Sequence, residues 1–188
     1  MISRGEALKI IEELVPNPNI RKHLLAAEAI MRILAKRFEP EKESQWAMVG
    51  LLHDGDYNDS VPENRQGVEI GNILEKRGIF LSEDIKHAMA AHNAKATGVE
   101  PESKMDWALF AADSLTGLIV ATALVRPDKK LESVTVESVL KKFKDSSFAR
   151  GTRREDIKTC QDHLDLSLEE FVGIGLEAMR GISSDLGL

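Results

Sequence analysis

The central helix of this chain is predicted by residues 103–125, which read SKMDWALFAADSLTGLIVATALV. The helix starts at Ser103, and Pro127 ends it because proline lacks the amide hydrogen that a helix interior needs. Apolar residues occupy nearly every side of this segment, a pattern typical of a helix buried on most faces. A long buried helix of this kind favours an all-α fold.

The rest of the chain also has helical spacing, and strand signals are nearly absent. Capping boxes at Ser3-x-x-Glu6 and Ser167-x-x-Glu170 open the first and the last helix. Between these boxes we first predict a helix capped by Asn19 and a helix from Pro40 towards His53. Two further helices are predicted over 66–77, where Gly78 ends the helix, and from Ser82 to about His92. After the central helix we predict a helical or mixed stretch over 134–143 and a short helix before the last one. Residues 56–64 and 94–102 are predicted loops. The prediction is one all-α domain over 1–188.

Composition fits a soluble domain. The 188 residues can bury a sizeable core, with 43% hydrophobic and 30% charged residues. A net charge of -6 argues against a broad nucleic-acid-binding face. Cys160 is the only cysteine, which excludes an intrachain disulfide and a cysteine-based zinc site. The first residues lack a signal-peptide core, and the longest apolar stretch, Leu118–Val125, is interrupted by Thr122 and too short to span a bilayer. We expect a cytoplasmic protein that binds neither nucleic-acid polymers nor membranes.

Metal-ligand side chains stand on several of the predicted helices: His23, the pair His53-Asp54, His92 and Asp113. The pair follows the apolar run 48–52 where a helix meets a polar loop. Adjacent residues on a helix diverge by about 100°, so both can reach one ion only near a helix end or turn. Asp113 interrupts the apolar run 108–112, and a buried carboxylate must be paired, protonated or metal-bound. A cap or a salt bridge with a lysine or arginine would explain Asp113 equally well.

The histidines could also have no role in metal binding. A single histidine on an amphipathic helix is more often hydrogen-bonded within the protein or exposed to solvent than a metal ligand, and this alternative applies to His23 and His92. His87 stands about 140° from His92 around an ideal helix, so we expect it at the surface. His163 lies in a charged segment and is expected to be solvated.

Together, His23, His53-Asp54 and Asp113 resemble the H…HD…D pattern of the HD superfamily of metal-dependent phosphohydrolases, which has a helical-bundle fold. The match covers about 20–125, the metal-binding core, and leaves about 126–188 as a C-terminal helical extension. Stretches 51–57, 115–118, 121–127 and 141–145 also look like an uncharacterised HDIG-related branch of predicted hydrolases.

This resemblance implies that one divalent ion is bound by His23, His53, Asp54 and Asp113. Two imidazoles and two carboxylates suit Mn, Fe, Co, Ni, Zn or Mg and leave room for water and a substrate oxygen. The implied reaction is hydrolysis of a phosphomonoester or nucleotide-like small molecule by metal-activated water.

Two departures from the family pattern matter. Dinuclear members add histidines after the His-Asp pair, whereas this chain offers Gln66 and a single His92-Asn93. One ion is therefore favoured, with His92 lining the pocket or joining a second metal. Some HD nucleotidases carry a catalytic glutamate where Tyr57 stands. Asp56 is therefore the substitute candidate for catalysis beside Asp54, with a loop cap as its alternative role.

An anionic substrate entering an acidic protein needs a local positive field. Arg65 follows the His-Asp pair, and a basic group surrounds Gly151: Lys142, Lys144, Arg150 and Arg153. Lys142 and Arg65 are the predicted substrate contacts beside His92, and a solvated basic face is the alternative.

Two other functions stay open. One is a non-catalytic metal-dependent module that senses a nucleotide or another ligand. The other is a diiron oxygenase, which needs more ligands than this pattern supplies. The oligomeric state is also open.

Overall fold

The computed structural model describes residues 2–188, which form α-helices and three 3-10 helices with no strand, so the predicted all-α class is confirmed. The 3-10 helices are Pro40–Lys42, Glu63–Arg65 and Leu131–Ser133. The α-helices are α1 (Arg4–Leu14), α2 (Pro18–Phe38), α3 (Glu43–Leu52), α4 (Glu69–Lys76), α5 (Glu83–Ala91), α6 (Ala94–Thr97), α7 (Lys104–Leu124), α8 (Val136–Lys144), α9 (Arg154–Leu164), α10 (Leu168–Arg180) and α11 (Ser183–Leu186).

Helix α7 is the centre of the fold, as the sequence predicts. It packs against α2, α5, α8, α9 and α10, and most of its side chains are buried. By length and composition α7 could also cross a membrane, which contradicts the expectation that no apolar stretch is long enough. It is mostly buried inside the fold, which is consistent with the core helix of a soluble protein.

Helices α2 and α3 cross closely at a glycine. A Cβ at Gly50 would lie 2.8 Å from backbone atoms of Ala27 and Glu28, so only glycine fits this contact. His23 lies about one helical turn before Ala27, and His53 lies about one turn after Gly50. The crossing therefore brings both histidines to the same end of the helix pair.

Several predicted helix signals are confirmed. The capping boxes of α1 and α10 are both formed, by Ser3 with Glu6 and by Ser167 with Glu170. Gly78 follows α4 with a φ of 76°, the left-handed conformation that favours glycine after a helix.

Some boundaries differ from the prediction. Asn17 rather than Asn19 caps α2, because the Asn17 side chain accepts a hydrogen bond from the Asn19 amide. The helix predicted over 66–77 begins only at Glu69, and the loop predicted over 94–102 contains the short helix α6. The helix predicted from Pro40 begins as a 3-10 turn that leads into α3.

One hydrophobic core extends along the chain from Ala7 to Leu186. Helices α8, α9 and α10 pack against α7, so the predicted extension beyond residue 125 shares its core with the predicted metal-binding region. This sharing is what a single domain requires.

Candidate metal centre

Four side chains converge where α7 meets the end of the α2–α3 pair. His23 comes from α2, His53 and Asp54 from the end of α3, and Asp113 from α7, and one ligand atom of each lies within 4.8 Å of the others. His23 Nε2 lies 3.1 Å from both His53 Nε2 and Asp113 Oδ1. Asp54 Oδ2 lies 3.8 Å from each Nε2 atom. The structure thus brings together the four residues that the sequence predicted as ligands.

His53 and His92 are oriented by carbonyl groups of their own helices. His53 Nδ1 donates to the carbonyl oxygen of Gly50 at 2.9 Å, and His92 Nδ1 donates to that of Met89. A carbonyl oxygen only accepts, so in each neutral ring the hydrogen sits on Nδ1 and the lone pair on Nε2. Both Nε2 atoms face the cluster, and that of His92 lies 3.2 Å from Asp54 Oδ1.

His23 is oriented through a threonine. Its Nδ1 lies 2.8 Å from Thr116 Oγ1, and the Thr116 hydroxyl donates to the carbonyl oxygen of Asp113 at 2.7 Å. Because that hydroxyl hydrogen is already used, the Thr116 oxygen accepts from His23 Nδ1. The Nε2 lone pair therefore points into the cluster, as a metal-binding histidine requires.

The two shortest separations within the cluster match those of neighbouring ligands around a bound cation, whereas Asp54 Oδ2 lies farther out, at 3.8 Å from both Nε2 atoms. Around an ion with bonds of about 2.0–2.2 Å, neighbouring ligand atoms lie about 3.0–3.5 Å apart. The 3.1 Å between the Nε2 atoms of His23 and His53 falls in this range. Two neutral imidazole lone pairs at this distance repel unless a cation or a proton lies between them. These nitrogen and oxygen donors can hold a divalent ion, and they do not select its identity.

Asp113 uses its two oxygens for different partners. Arg153 Nη2 donates to Oδ2 at 2.8 Å, which leaves Oδ1 for the cluster. Arg153 is itself held by the buried Asp156, whose Oδ2 lies 2.5 Å from Arg153 Nε. From the sequence, a salt bridge and metal ligation were alternative roles for Asp113. In the structure the Asp113 carboxylate can serve both roles, because Oδ2 binds Arg153 and Oδ1 faces the cluster.

The members of the cluster also stabilise each other's charges. Burial opposes a charged His23, but its hydrogen bond to Asp113 and the nearby carboxylates outweigh burial and raise its pKa. Burial likewise opposes a charged His92, and the Asp54 contact raises the pKa of that imidazole to about 9. The histidines in turn hold the pKa values of Asp54 and Asp113 below normal despite burial. A metal ion binding here would compete with protons for the histidine nitrogens.

The cluster lies in the wall of a cavity of about 550 Å³, a size typical of small-molecule sites. The predicted site residues that line this cavity are His23, Asp54, His92 and Asp113, while the fully buried His53 lies behind them. The other polar and charged residues of the wall are Tyr57, Glu63, Gln66, Asn93, Ser114, Thr116, Arg150, Thr152 and Arg153.

Asp56, the substitute candidate for catalysis, lies outside the cavity, and backbone amides occupy its carboxylate. Asp56 is fully buried, and its two oxygens accept hydrogen bonds from the amides of Gly67 at 2.9 Å and Ile70 at 2.8 Å. It therefore caps the start of α4, the alternative role named for it. Gly67 has a φ of 80° and packs so closely on Met89 and the His92 ring that a Cβ would clash with both.

The two predicted substrate cations lie outside the cavity. Arg65 Nη2 forms an ion pair with Glu69 Oε2, four residues further on, at 2.9 Å. Lys142 Nζ lies 4.4 Å from the centre of the Phe148 ring, a cation–π contact. Local partners therefore occupy both side chains.

Arg150 and Arg153 are the cations that line the cavity instead. Both belong to the basic group that the sequence marked around Gly151, but spacing along an irregular loop does not show which side chains face inward. Thr116 was missed altogether. Its signal was a position three residues after Asp113, where a helical side chain can reach the same end of the site.

The remaining histidines lie outside the cavity. His87 is half-buried rather than at the surface, and its Nδ1 lies 3.0 Å from Asp106 Oδ2 near the start of α7. His163 is exposed as predicted, and it stacks on Trp107 with ring centroids 3.5 Å apart. Neither residue belongs to the cluster formed by His23, His53, Asp54 and Asp113.

Comparisons of this chain with protein-family models, with curated proteins and with solved structures gave no match. The resemblance to the HD phosphohydrolases therefore stays a prediction that rests on His23, His53-Asp54 and Asp113. Chemically, the arrangement is a His/Asp cluster that could hold a divalent cation, beside a cavity whose wall includes two arginines.

Proposed function

We propose that this chain is an HD-type metal-dependent phosphohydrolase whose substrate is a phosphomonoester or a nucleotide-like small molecule. One observation carries the proposal: Nε2 atoms of His23 and His53 and carboxylate oxygens of Asp54 and Asp113 converge beside a cavity of small-molecule size. The arginines in the cavity wall support a substrate that carries negative charge.

In this proposal each residue has a stated role. The ion would be held by His23, His53, Asp54 and Asp113, and when bound it would polarise a phosphoryl oxygen and lower the pKa of a water molecule. Arg153 keeps Asp113 Oδ1 turned towards the cluster by binding Oδ2. His92 lines the cavity, and its Nε2, which lies 3.2 Å from Asp54 Oδ1, can hold a proton there, whereas backbone amides occupy the oxygens of Asp56.

The test compares Asp54→Ala with Asp59→Ala, a matched change at an exposed position of the following loop. Bound metal is removed from each protein with a chelator, and separate samples are reloaded with Mn, Fe, Co, Ni, Zn or Mg. Each sample is then assayed for metal content and phosphate release. The substrates are a panel of phosphomonoesters and nucleotides. We expect the wild type and Asp59→Ala to bind an ion and hydrolyse a substrate, and Asp54→Ala to lose both. Hydrolysis that persists in Asp54→Ala would refute the assigned site.

A non-catalytic sensing module is the second candidate. The observation in its favour is Tyr57, which lines the cavity and stands where some HD nucleotidases carry a catalytic glutamate. In the same panel, tight nucleotide binding without turnover under any metal would favour the sensor. The diiron oxygenase has less support, because one cluster of four donors is found among residues 2–188. Elemental analysis that finds one metal ion per chain would exclude the diiron oxygenase.

The cellular setting is part of the same proposal. We infer a cytoplasmic enzyme of small molecules, with neither a nucleic-acid polymer nor a membrane as partner. The net charge of -6 and the mostly buried position of α7 support this inference.

A further inference from the structure

The loop over residues 145–153, which joins α8 to α9, forms one side of the cavity. Five consecutive residues of this loop, Ala149–Arg153, line the same cavity as the metal cluster. A Cβ at Gly117 would lie 3.9 Å from Thr152 Oγ1, so the loop packs on α7 at that glycine. Gly117 is about one helical turn after Asp113. The loop therefore lies next to the metal ligands rather than at a distant rim.

The shape of this loop is fixed by Arg154. Its guanidinium donates to the carbonyl oxygens of Phe143 and Asp145 at 2.8 Å each and to that of Phe148. Ala149 has a φ of 46°, in the left-handed region that costs free energy for a residue with a Cβ, so the surrounding contacts must maintain it. A loop held in this way presents its side chains at defined positions.

Arg150 is the cation of this loop that has no protein partner among residues 2–188. The charge of Arg153 is already matched by Asp113 and Asp156, with nitrogen–oxygen distances of 2.8 and 2.5 Å. No carboxylate of the described chain lies within salt-bridge distance of Arg150, which is exposed and lines the cavity. A guanidinium presents a planar fork of donors that matches the oxygens of a phosphate group.

We propose that Arg150 forms an anion subsite that binds a phosphate group of the substrate, on a loop held in shape by Arg154. The inference rests on the proposed function, because it assigns phosphate recognition within the same cavity. It also narrows the substrate class, since a compound that lacks phosphate would leave Arg150 unused.

The experiment measures binding of inorganic phosphate to Mg²⁺-loaded protein at low salt, by isothermal titration calorimetry. The variants are Arg150→Ala, Arg150→Lys and Lys144→Ala, the last being a matched loss of an exposed cation that does not line the cavity. We expect phosphate affinity to fall about tenfold or more in Arg150→Ala, to fall less in Arg150→Lys, and to stay within about twofold in Lys144→Ala. Mg²⁺ affinity, titrated separately, should be unchanged in all three.

Equal phosphate affinity in the wild type and Arg150→Ala would overturn the proposal, as would a wild type that binds no phosphate. Succinate that binds as tightly as phosphate would overturn the assignment of the subsite to phosphate. The experiment also distinguishes failure of this proposal from failure of the proposed function. Phosphate binding through Arg150 without turnover of any phosphoester would contradict the hydrolase proposal and support the anion subsite. Phosphoester turnover with the same KM in Arg150→Ala as in the wild type would support the hydrolase proposal and contradict the anion subsite.

Discussion

Two buried polar clusters lie along the same α2–α3 pair, and they are completed in different ways. In the first, Glu28 is 3% exposed and accepts hydrogen bonds from Arg4 Nε at 2.6 Å, Arg4 Nη2 at 2.9 Å and Arg32 Nη2 at 2.8 Å. Positively charged donors of the protein therefore meet both carboxylate oxygens. This cluster is complete without a ligand.

The second cluster lies about one and a half helical turns earlier on α2. Here the Nε2 atoms of His23 and His53 face one another and the carboxylates of Asp54 and Asp113. Acceptors converge, and one cation or several protons must complete them. The neighbours of the buried carboxylates thus distinguish the two clusters: fixed donors of the protein complete the Glu28 ion pairs, whereas converging acceptors leave the His/Asp cluster able to bind a cation.

The largest effect is expected from Gly50→Ala, which disturbs the helix crossing that both clusters share. The added methyl group would lie 2.8 Å from the backbone of Ala27, and backbone cannot turn aside as a side chain can. We expect a loss of about 3 kcal/mol in the free energy of unfolding and weaker Mn²⁺ binding, because His23 and His53 would move apart. Denaturant unfolding and Mn²⁺ titration measure the two effects.

The matched control is Gly173→Ala on α10, where a Cβ would make an ordinary contact of 3.9 Å with Val136. This variant should be as stable as the wild type or more stable by up to about 1 kcal/mol. If Gly50→Ala behaved in the same way, close contact at the crossing would not be what brings the two histidines together.

Glu28→Gln separates the two clusters. It weakens the ion pairs to Arg4 and Arg32, which are partly exposed, so we expect a loss of about 2 kcal/mol in unfolding free energy. The rise in melting temperature on adding Mn²⁺ should remain as in the wild type, because the proposed metal ligands are untouched. Thermal melts with and without Mn²⁺ measure both. A lost Mn²⁺ response would mean that the clusters act as one unit.

Thr116→Val tests how the second cluster is oriented. Valine has nearly the same shape but cannot accept the hydrogen bond from His23 Nδ1. We expect Mn²⁺ affinity to fall about tenfold, as is usual when the partner of a metal-binding histidine is removed. Calorimetric titration gives the affinity, and circular dichroism checks that the fold persists. Unchanged affinity would show that His23 needs no help from Thr116.

The smallest effects are expected from Arg65→Ala and Lys142→Ala. Both side chains lie outside the cavity, with Glu69 and Phe148 as their partners. Each variant should change unfolding free energy by less than about 0.5 kcal/mol and leave Mn²⁺ and phosphate binding unaltered. A clear loss of phosphate binding in either would show that the basic surface, rather than Arg150, attracts the anion.

Much of the fold could be predicted from local sequence. The apolar segment 103–125 indicates a buried helix because its pattern is set by nearby residues, and capping boxes such as Ser3 with Glu6 are local as well. The four-residue His/Asp cluster was predicted from the resemblance of His23, His53-Asp54 and Asp113 to the HD phosphohydrolase pattern. The place of His53-Asp54 at a helix end and of Asp113 within an apolar run agrees with that resemblance.

The rest of the site depends on contacts between distant parts of the chain. Arg153 and Asp113 are separated by 40 residues, and Thr116 and His23 by 93. Periodicity carries no information about such pairs, so the partners of the ligands stayed hidden. The partners of Asp56 stayed hidden for the same reason, because the amides that it caps lie 11 and 14 residues further along the chain.

Anomalous diffraction from crystals grown with Mn²⁺ would show whether a cation completes the His/Asp cluster. We predict one strong peak within about 2.2 Å of His23 Nε2, His53 Nε2 and one oxygen each of Asp54 and Asp113. Crystals of Asp54→Ala should lack this peak. Fully ordered side chains with no peak between them in the wild-type crystal would contradict the prediction.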